Sequence, residues 1–199
     1  MARRSDHTRA ELRDLILDAA RQIIRDDGVA ALSARKIAAR IGYTVGTLYQ
    51  IFENMDRLVE EVNSATLRAL HQASRAYARP EAAGESLRRL AGSFLDFTRA
   101  HPREWDAVIT YQFGAAHQWS DDYSEKVDNL LGLISTAVGS FYSEEESDQR
   151  REDVMVLWCG LYGVFALNAA NRLGGKHPPE RMIGALAEMF LAARSGEGG

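Results

Sequence analysis

Cysteine is almost absent from this 199-residue chain. Cys159 stands alone, so no intramolecular disulfide can form, and a single thiol without a neighbouring His or Cys makes no metal site. A reducing, cytoplasmic setting is expected. The four prolines, Pro80, Pro102, Pro178 and Pro179, fall where helical patterns stop or start. Sustained alternation of period two is missing, which leaves no strand to assign. Internal repeats and low-complexity linkers are missing as well. The start, MARRSDHTRAEL, has charge but no apolar run behind it, so it does not read as an export signal. The five histidines include no pair at helical metal-ligand spacing, and none follows a glutamate by three residues. Neither a nucleophile elbow nor a phosphate-binding glycine loop occurs. Metal, cofactor and enzyme activity are therefore not expected.

One uncharged run needs a separate decision. Val154–Asn171 reaches the lower edge of membrane-spanning length. It contains Asn168, Asn171, two glycines and Cys159, and charged segments flank it, so a helix buried in a core or a subunit interface is expected.

What is present is helical period nearly throughout, in a chain that is 46% hydrophobic. Thr8-Arg9-Ala10-Glu11 reads as a capping box. Behind it Leu12, Leu15, Ile16, Ala19, Ala20, Ile23 and Ile24 make one apolar face, ended by Gly28. Ser33 caps a short second helix with Ile37, Ala38 and Ile41 inward. Asn54 caps a long helix whose inward positions are Leu58, Val62, Ala65, Ala69 and Tyr77, stopped at Arg79-Pro80. Further helical faces carry Leu87, Leu90, Phe94 and Leu95; Trp105, Val108 and Ile109; and Val127, Leu130, Leu131, Ile134, Val138 and Phe141. Gly174-Gly175 ends the uncharged helix, and Pro178-Pro179 opens a last one with Met182, Leu186, Met189 and Phe190. The fold class is all-α.

The stretch RIGYTVGTLYQIF, residues 40–52, breaks a helical pattern and resumes it at once. A glycine at 42 can take positive φ without steric cost, and Thr44 can cap a new helix from Val45. Ala38 is small where the new helix crosses. The result is a helix-turn-helix corner whose second helix offers Thr44, Val45, Gly46, Thr47 and Gln50 outward. Residues 1–53 carry a net charge of +2 and residues 54–199 carry −6, giving the total of −4. That balance permits nucleic-acid binding without identifying it.

With SARKIAARIGYTVGTLYQIFENMDRLVEEV, above all IAARIG followed by GTLYQIF, the first quarter of the chain resembles the DNA-binding region of the tetracycline-repressor (TetR) family of bacterial regulators. The resemblance implies a helix-turn-helix domain over residues 1–53 and an effector-binding and dimerisation domain over residues 54–199. It further implies a homodimer on double-stranded operator DNA and a small-molecule effector, with no membrane partner. Arg35 matches a position that reaches a base edge, where an arginine fork suits guanine. Ser33 and Lys36 are assigned to the same interface. Gly46 and Thr47 match the N-terminal end of the recognition helix, Gln50 an outward base-contacting position, and Tyr49 a tyrosine that meets phosphate; the outward Thr44 and Val45 are assigned to the interface with them. Met55 stands where the family commonly has a lysine, and Val45 where a basic or polar residue is frequent. Arg3, Arg4, Lys36 and Arg40 are then expected to carry more of the attraction to phosphate.

Farther along, HPREWDAVI and WCGLYGVFAL resemble the family's later helices more loosely, with Tyr162 in place of a histidine. Aromatic and imidazole groups concentrate here. Trp105, Tyr111, Phe113, His117, Trp119, Tyr123, Trp158 and Tyr162 are the candidate ligand-binding residues. The last two helices, with Gly160, Gly163, Ala166 and Ala170 as small residues, are expected to pair with a second copy. A helical small-molecule-binding protein or enzyme without a DNA role is the alternative.

Overall fold

The computed structural model describes residues 7–80 and 83–196. Arg3 and Arg4 lie outside them. Among the described residues there are helices and turns but no strand. The chain forms two compact units, Met1–Thr66 with Arg103–Tyr123, and Leu67–Pro102 with Ser124–Gly199.

The first unit extends beyond a helix-turn-helix segment. It holds α1 (Arg9–Asp27), α2 (Ala34–Ile41), α3 (Val45–Ile51), the beginning of α4 (Met55–Ser74) and nearly all of α6 (Pro102–Thr110). Helix α1 begins with the expected box: the Glu11 N–H donates to Thr8 Oγ1 at 3.3 Å and the Thr8 N–H to Glu11 Oε2 at 2.7 Å. Its apolar face meets Ile37 of α2, Leu48 of α3, Phe52, and Leu58, Val59 and Val62 of α4. Ala107 of α6 completes that core. Arg103 fastens α6 to α1, donating to the carbonyls of Arg25, at 2.8 Å, and Asp26 at the helix end. A cation there also complements the helix dipole.

The second unit contains α5 (Ala83–Ala100), most of α7 (Asp121–Val138), α8 (Ser147–Ala169) and α9 (Pro179–Gly196). Leu87, Leu90, Ala91 and Phe94 of α5 face Ile183, Leu186 and Ala187 of α9, with Ile134 of α7 and Leu157 and Leu161 of α8 beside them. The space left among them is about 10 Å³, room for about one water. None of the eight candidate ligand residues borders it. Arg88 forks onto Glu188 at 2.5 and 3.0 Å, and Arg99 pairs with Glu180.

Three features depart from what the sequence pattern predicts. Helix α4 stops at Ser74 and a 3-10 turn, Arg75–Tyr77, precedes Pro80, so Tyr77 is exposed instead of inward; Ala69, still within α4, is exposed because Leu67 and Leu70 take the buried positions of its turn. The chain turns out of the helix before the three- and four-residue repeat reaches Tyr77. Helix α8 ends before the glycine pair: Asn171, at φ 54°, is the left-handed residue after the helix, and the Arg172 N–H closes onto the Leu167 carbonyl at 2.8 Å. Gly160 does not wait for a second copy, because a Cβ there would stand 2.7 Å from Leu186 of the chain's own α9.

Helix α8 has two apolar faces. Val154, Leu157, Leu161 and Phe165 are buried within the unit. Met155, Val156, Cys159, Tyr162 and Leu167 are exposed, Val156 at 66%, and on α9 Met189 is 72% exposed. Among the described residues, no helix is long and apolar enough to cross a membrane.

Candidate nucleic-acid interface

The corner between α2 and α3 is built as its local sequence dictates. Ser33 caps α2, its Oγ accepting from the Lys36 N–H at 3.3 Å. Gly42 takes φ 75° and ψ 26°, and the Tyr43 N–H donates to the Ala38 carbonyl at 3.0 Å. Thr44 caps α3 by accepting from the Thr47 N–H at 3.1 Å, and the two threonine hydroxyls are 3.0 Å apart. Ile37, Ala38 and Leu48 are buried beneath the corner. The next helix starts on Asn54, whose Oδ1 accepts from the Arg57 N–H at 2.8 Å.

With Leu48 buried and Ile51 packed partly buried against the core, the remaining face of α3 is outward. Val45, Gly46, Tyr49 and Gln50 are exposed, as are Thr44, the cap Ser33 and, on α2, Arg35. Thr47 is half-buried by its contact with Thr44. A methyl added at Gly46 would meet only Thr44 Oγ1, at 3.6 Å, so nothing inside the unit requires a glycine there. The closeness it permits is available to an outside partner.

Two of the cations expected to attract phosphate are already engaged. Lys36 Nζ lies 2.5 Å from Asp27, and Arg40 reaches Asp26 at 3.2 Å and Gln22 at 3.1 Å. The hydrogen bond from Lys36, and its charge, hold the Asp27 carboxyl below the usual carboxylate range. These pairs are exposed and hence weak, so a phosphate can compete for the cations.

Most of the expected ligand residues come together in the same unit, around α4. Phe113, His117, Trp119 and Tyr123 form a chain of rings. Phe113 lies 4.7 Å from His117 and 4.6 Å from Trp119, centre to centre, and Trp119 stacks on Tyr123 at 4.4 Å. Tyr111 meets Phe113 edge-on at 4.8 Å, and Trp105 is buried on α6. Trp158 and Tyr162 belong to α8 in the other unit, their rings 6.4 Å apart, with Tyr162 on its exposed face.

Carboxylates of α4 hold the segment after α6 in place, a feature the sequence reading missed. Asp56 accepts from the Tyr111 hydroxyl at 2.8 Å and the Gly114 N–H at 2.9 Å. The Gly114 N–H, aided by Tyr111, keeps the Asp56 carboxyl below its ordinary range against partial burial. Glu60 accepts from the Ser120 N–H at 2.9 Å and from Arg57 at 3.0 Å. Burial pushes Glu60 up, but the Ser120 bonds with Arg57 and His117 outweigh it and set it low. His117 Nε2 is 2.7 Å from Glu60 Oε2 but outside hydrogen-bond geometry, a close polar contact only. The available signal was the polar run Glu60, Asn63, Ser64 among the inward positions of α4.

Residues 16–62 match the family described as bacterial regulatory proteins, tetR family, and residues 87–192 match the tetracyclin repressor-like C-terminal domain. Among solved structures, a TetR transcriptional regulator from Rhodococcus sp. RHA1 is 16% identical, with TM-score 0.66, covering 92% of this chain and 98% of that one. FadR of Thermus thermophilus, a TetR family transcriptional repressor solved in complex with lauroyl-CoA, is 17% identical over 92% of this chain and 93% of that one, with TM-score 0.63. SmeT, the repressor of the Stenotrophomonas maltophilia multidrug efflux pump SmeDEF, is 19% identical over 94% and 90%, with TM-score 0.62. At these identities the likeness concerns the fold. No curated protein matches the chain in sequence.

Proposed function

Because the chain belongs to the TetR family of bacterial regulatory proteins, whose C-terminal domain alone matches more than half of it, we propose that it is an effector-relieved transcriptional repressor acting as a homodimer on a palindromic operator. The outward face of α3 carries this reading: Val45, Gly46, Tyr49 and Gln50 are exposed on a helix otherwise anchored by Leu48. A helix so presented enters a major groove, with Arg35 and Gln50 at base edges and Tyr49, Thr44 and Thr47 at the backbone. Lys36 and Arg40 exchange their carboxylate partners for phosphate.

The second copy docks on the exposed face of α8 and α9. Met155, Val156, Tyr162, Leu167 and Met189 supply apolar area, and the open position at Gly163 lets a backbone approach. The effector binds against the rings of Tyr111, Phe113, His117, Trp119 and Tyr123, with Trp105 behind them. It shifts α4, so effector and operator oppose each other by the same factor in both directions. A repressor in complex with an acyl-CoA and a repressor of an efflux pump among the structural neighbours support a ligand-responsive repressor. No catalytic step belongs to this reading.

Fluorescence anisotropy with DNA flanking the protein's own gene tests it. Saturable binding that weakens steeply with salt and falls several-fold in Tyr49→Phe is expected. Binding indifferent to both, or none, contradicts it.

A further inference from the structure

One face of α4 offers more hydrogen-bonding capacity than the chain itself uses. Glu60, Asn63 and Ser64 stand at i, i+3 and i+4, where helical side chains are neighbours. All are buried, Asn63 at 0% and Ser64 at 2% exposure. Asn63 Nδ2 reaches the Ala107 carbonyl of α6 at a long 3.4 Å, while Asn63 Oδ1 and Ser64 Oγ find no hydrogen-bond partner among the described residues. His117 Nε2, by contrast, lies 2.7 Å from Glu60 Oε2 and is answered by that carboxylate. Each buried polar atom left unpaired costs about 1–3 kcal/mol, and folded proteins keep few of them without a reason. Two on adjacent residues of one helix, along one seam, call for a common partner.

We infer that this seam receives the polar head of the effector, a neutral group that both donates and accepts, such as a carboxamide, carried on an aromatic or apolar body. The inference rests on the effector-responsive reading above and adds the ligand's chemistry. Asn63 Oδ1 accepts an N–H, and the Ser64 hydroxyl donates to a carbonyl. A carboxylate head is disfavoured, because it would be buried beside the Glu60 carboxylate, and Arg57 is already bound to Glu60. The rings of Phe113 and Trp119, next to His117, suit a flat body. Ordered water is the competing occupant, since a buried water also needs two to four polar partners.

Benzamide, benzoate and toluene, which share a ring and differ in the head, separate the two. Each is titrated into the full-length protein while tryptophan fluorescence and thermal stability are followed. Saturable benzamide binding at millimolar concentration, about tenfold tighter than toluene or benzoate, is expected. Ser64→Ala and Asn63→Leu should each remove most of that preference. Equal binding of benzamide and toluene, no saturable binding of any of the three, or an unchanged preference in both variants overturns the inference and leaves a seam filled by water. Operator binding measured on the same preparations keeps the two failures apart: a lost ligand preference with DNA binding intact touches only this inference, whereas absent DNA binding defeats the regulator reading itself.

Discussion

The His117 imidazole lies 2.7 Å from the Glu60 carboxylate, with 4% and 2% of the two side chains open to solvent. The contact joins the first turns of α4, next to α3 in sequence, to the aromatic segment after α6. Replacing Glu60 by Ala leaves the Ser120 N–H and the Arg57 guanidinium without their acceptor. A loss of about 1–3 kcal/mol is expected, seen as a fall of about 2–10 °C in midpoint for a chain of this size. Calorimetry showing no change would mean that the clasp adds nothing to stability.

Asp56 predicts an acid limb. Its carboxyl is held below the ordinary value by the Gly114 N–H, with Tyr111 adding to it. A depressed folded-state value contributes stability that is full above the unfolded value and is lost as pH falls through the folded one. The window therefore lies below about pH 4, the ordinary Asp range. Thermal midpoints of Asp56→Asn should start lower at neutral pH and converge on the wild type in acid. Parallel curves would remove Asp56 as the source.

Gly42 is required by its backbone and not by crowding. It sits at φ 75°, and a Cβ there would meet nothing within 4 Å. Gly42→Ala should cost about 1–2 kcal/mol from the left-handed conformation alone. Equilibrium urea unfolding reads this directly, and an unchanged midpoint would contradict the turn geometry.

Much of the helix-turn-helix was legible because its determinants are local. Thr8, Ser33, Thr44 and Asn54 cap within three residues of their own positions, and Gly42 ends a helix it follows. The pairings of Glu60 with His117 and of Arg103 with the end of α1 were not legible, since charge and polarity do not announce a partner distant in sequence. Tyr77 and Gly160 were misread for related reasons. The first continues a helical repeat past the residue where the chain turns, and the second has a small side chain whose neighbour, Leu186, is known only once α9 folds back.

The two glycines of α8 should separate fold from assembly. Gly160→Ala places a methyl against Leu186 and should cost about 1–3 kcal/mol, with Leu186→Ala in the same chain recovering part of it. Gly163→Ala meets open space and should leave the fold unchanged. Met189→Arg, on the exposed face, should yield folded monomers with much weaker operator binding. Sedimentation velocity and urea unfolding on the three variants check these outcomes, and a Met189→Arg protein that stays dimeric would move the interface elsewhere.

The proposed two-fold repressor is tested most directly by selecting bound sequences from a random DNA library with the full-length protein, beside its Arg35→Ala and Gln50→Ala variants. The account predicts one (pseudo)palindromic motif with half-site centres about one helical turn, or a simple multiple, apart, and relaxed preference at the matching positions in each variant. An unsymmetric motif, or no enrichment at all, would contradict it.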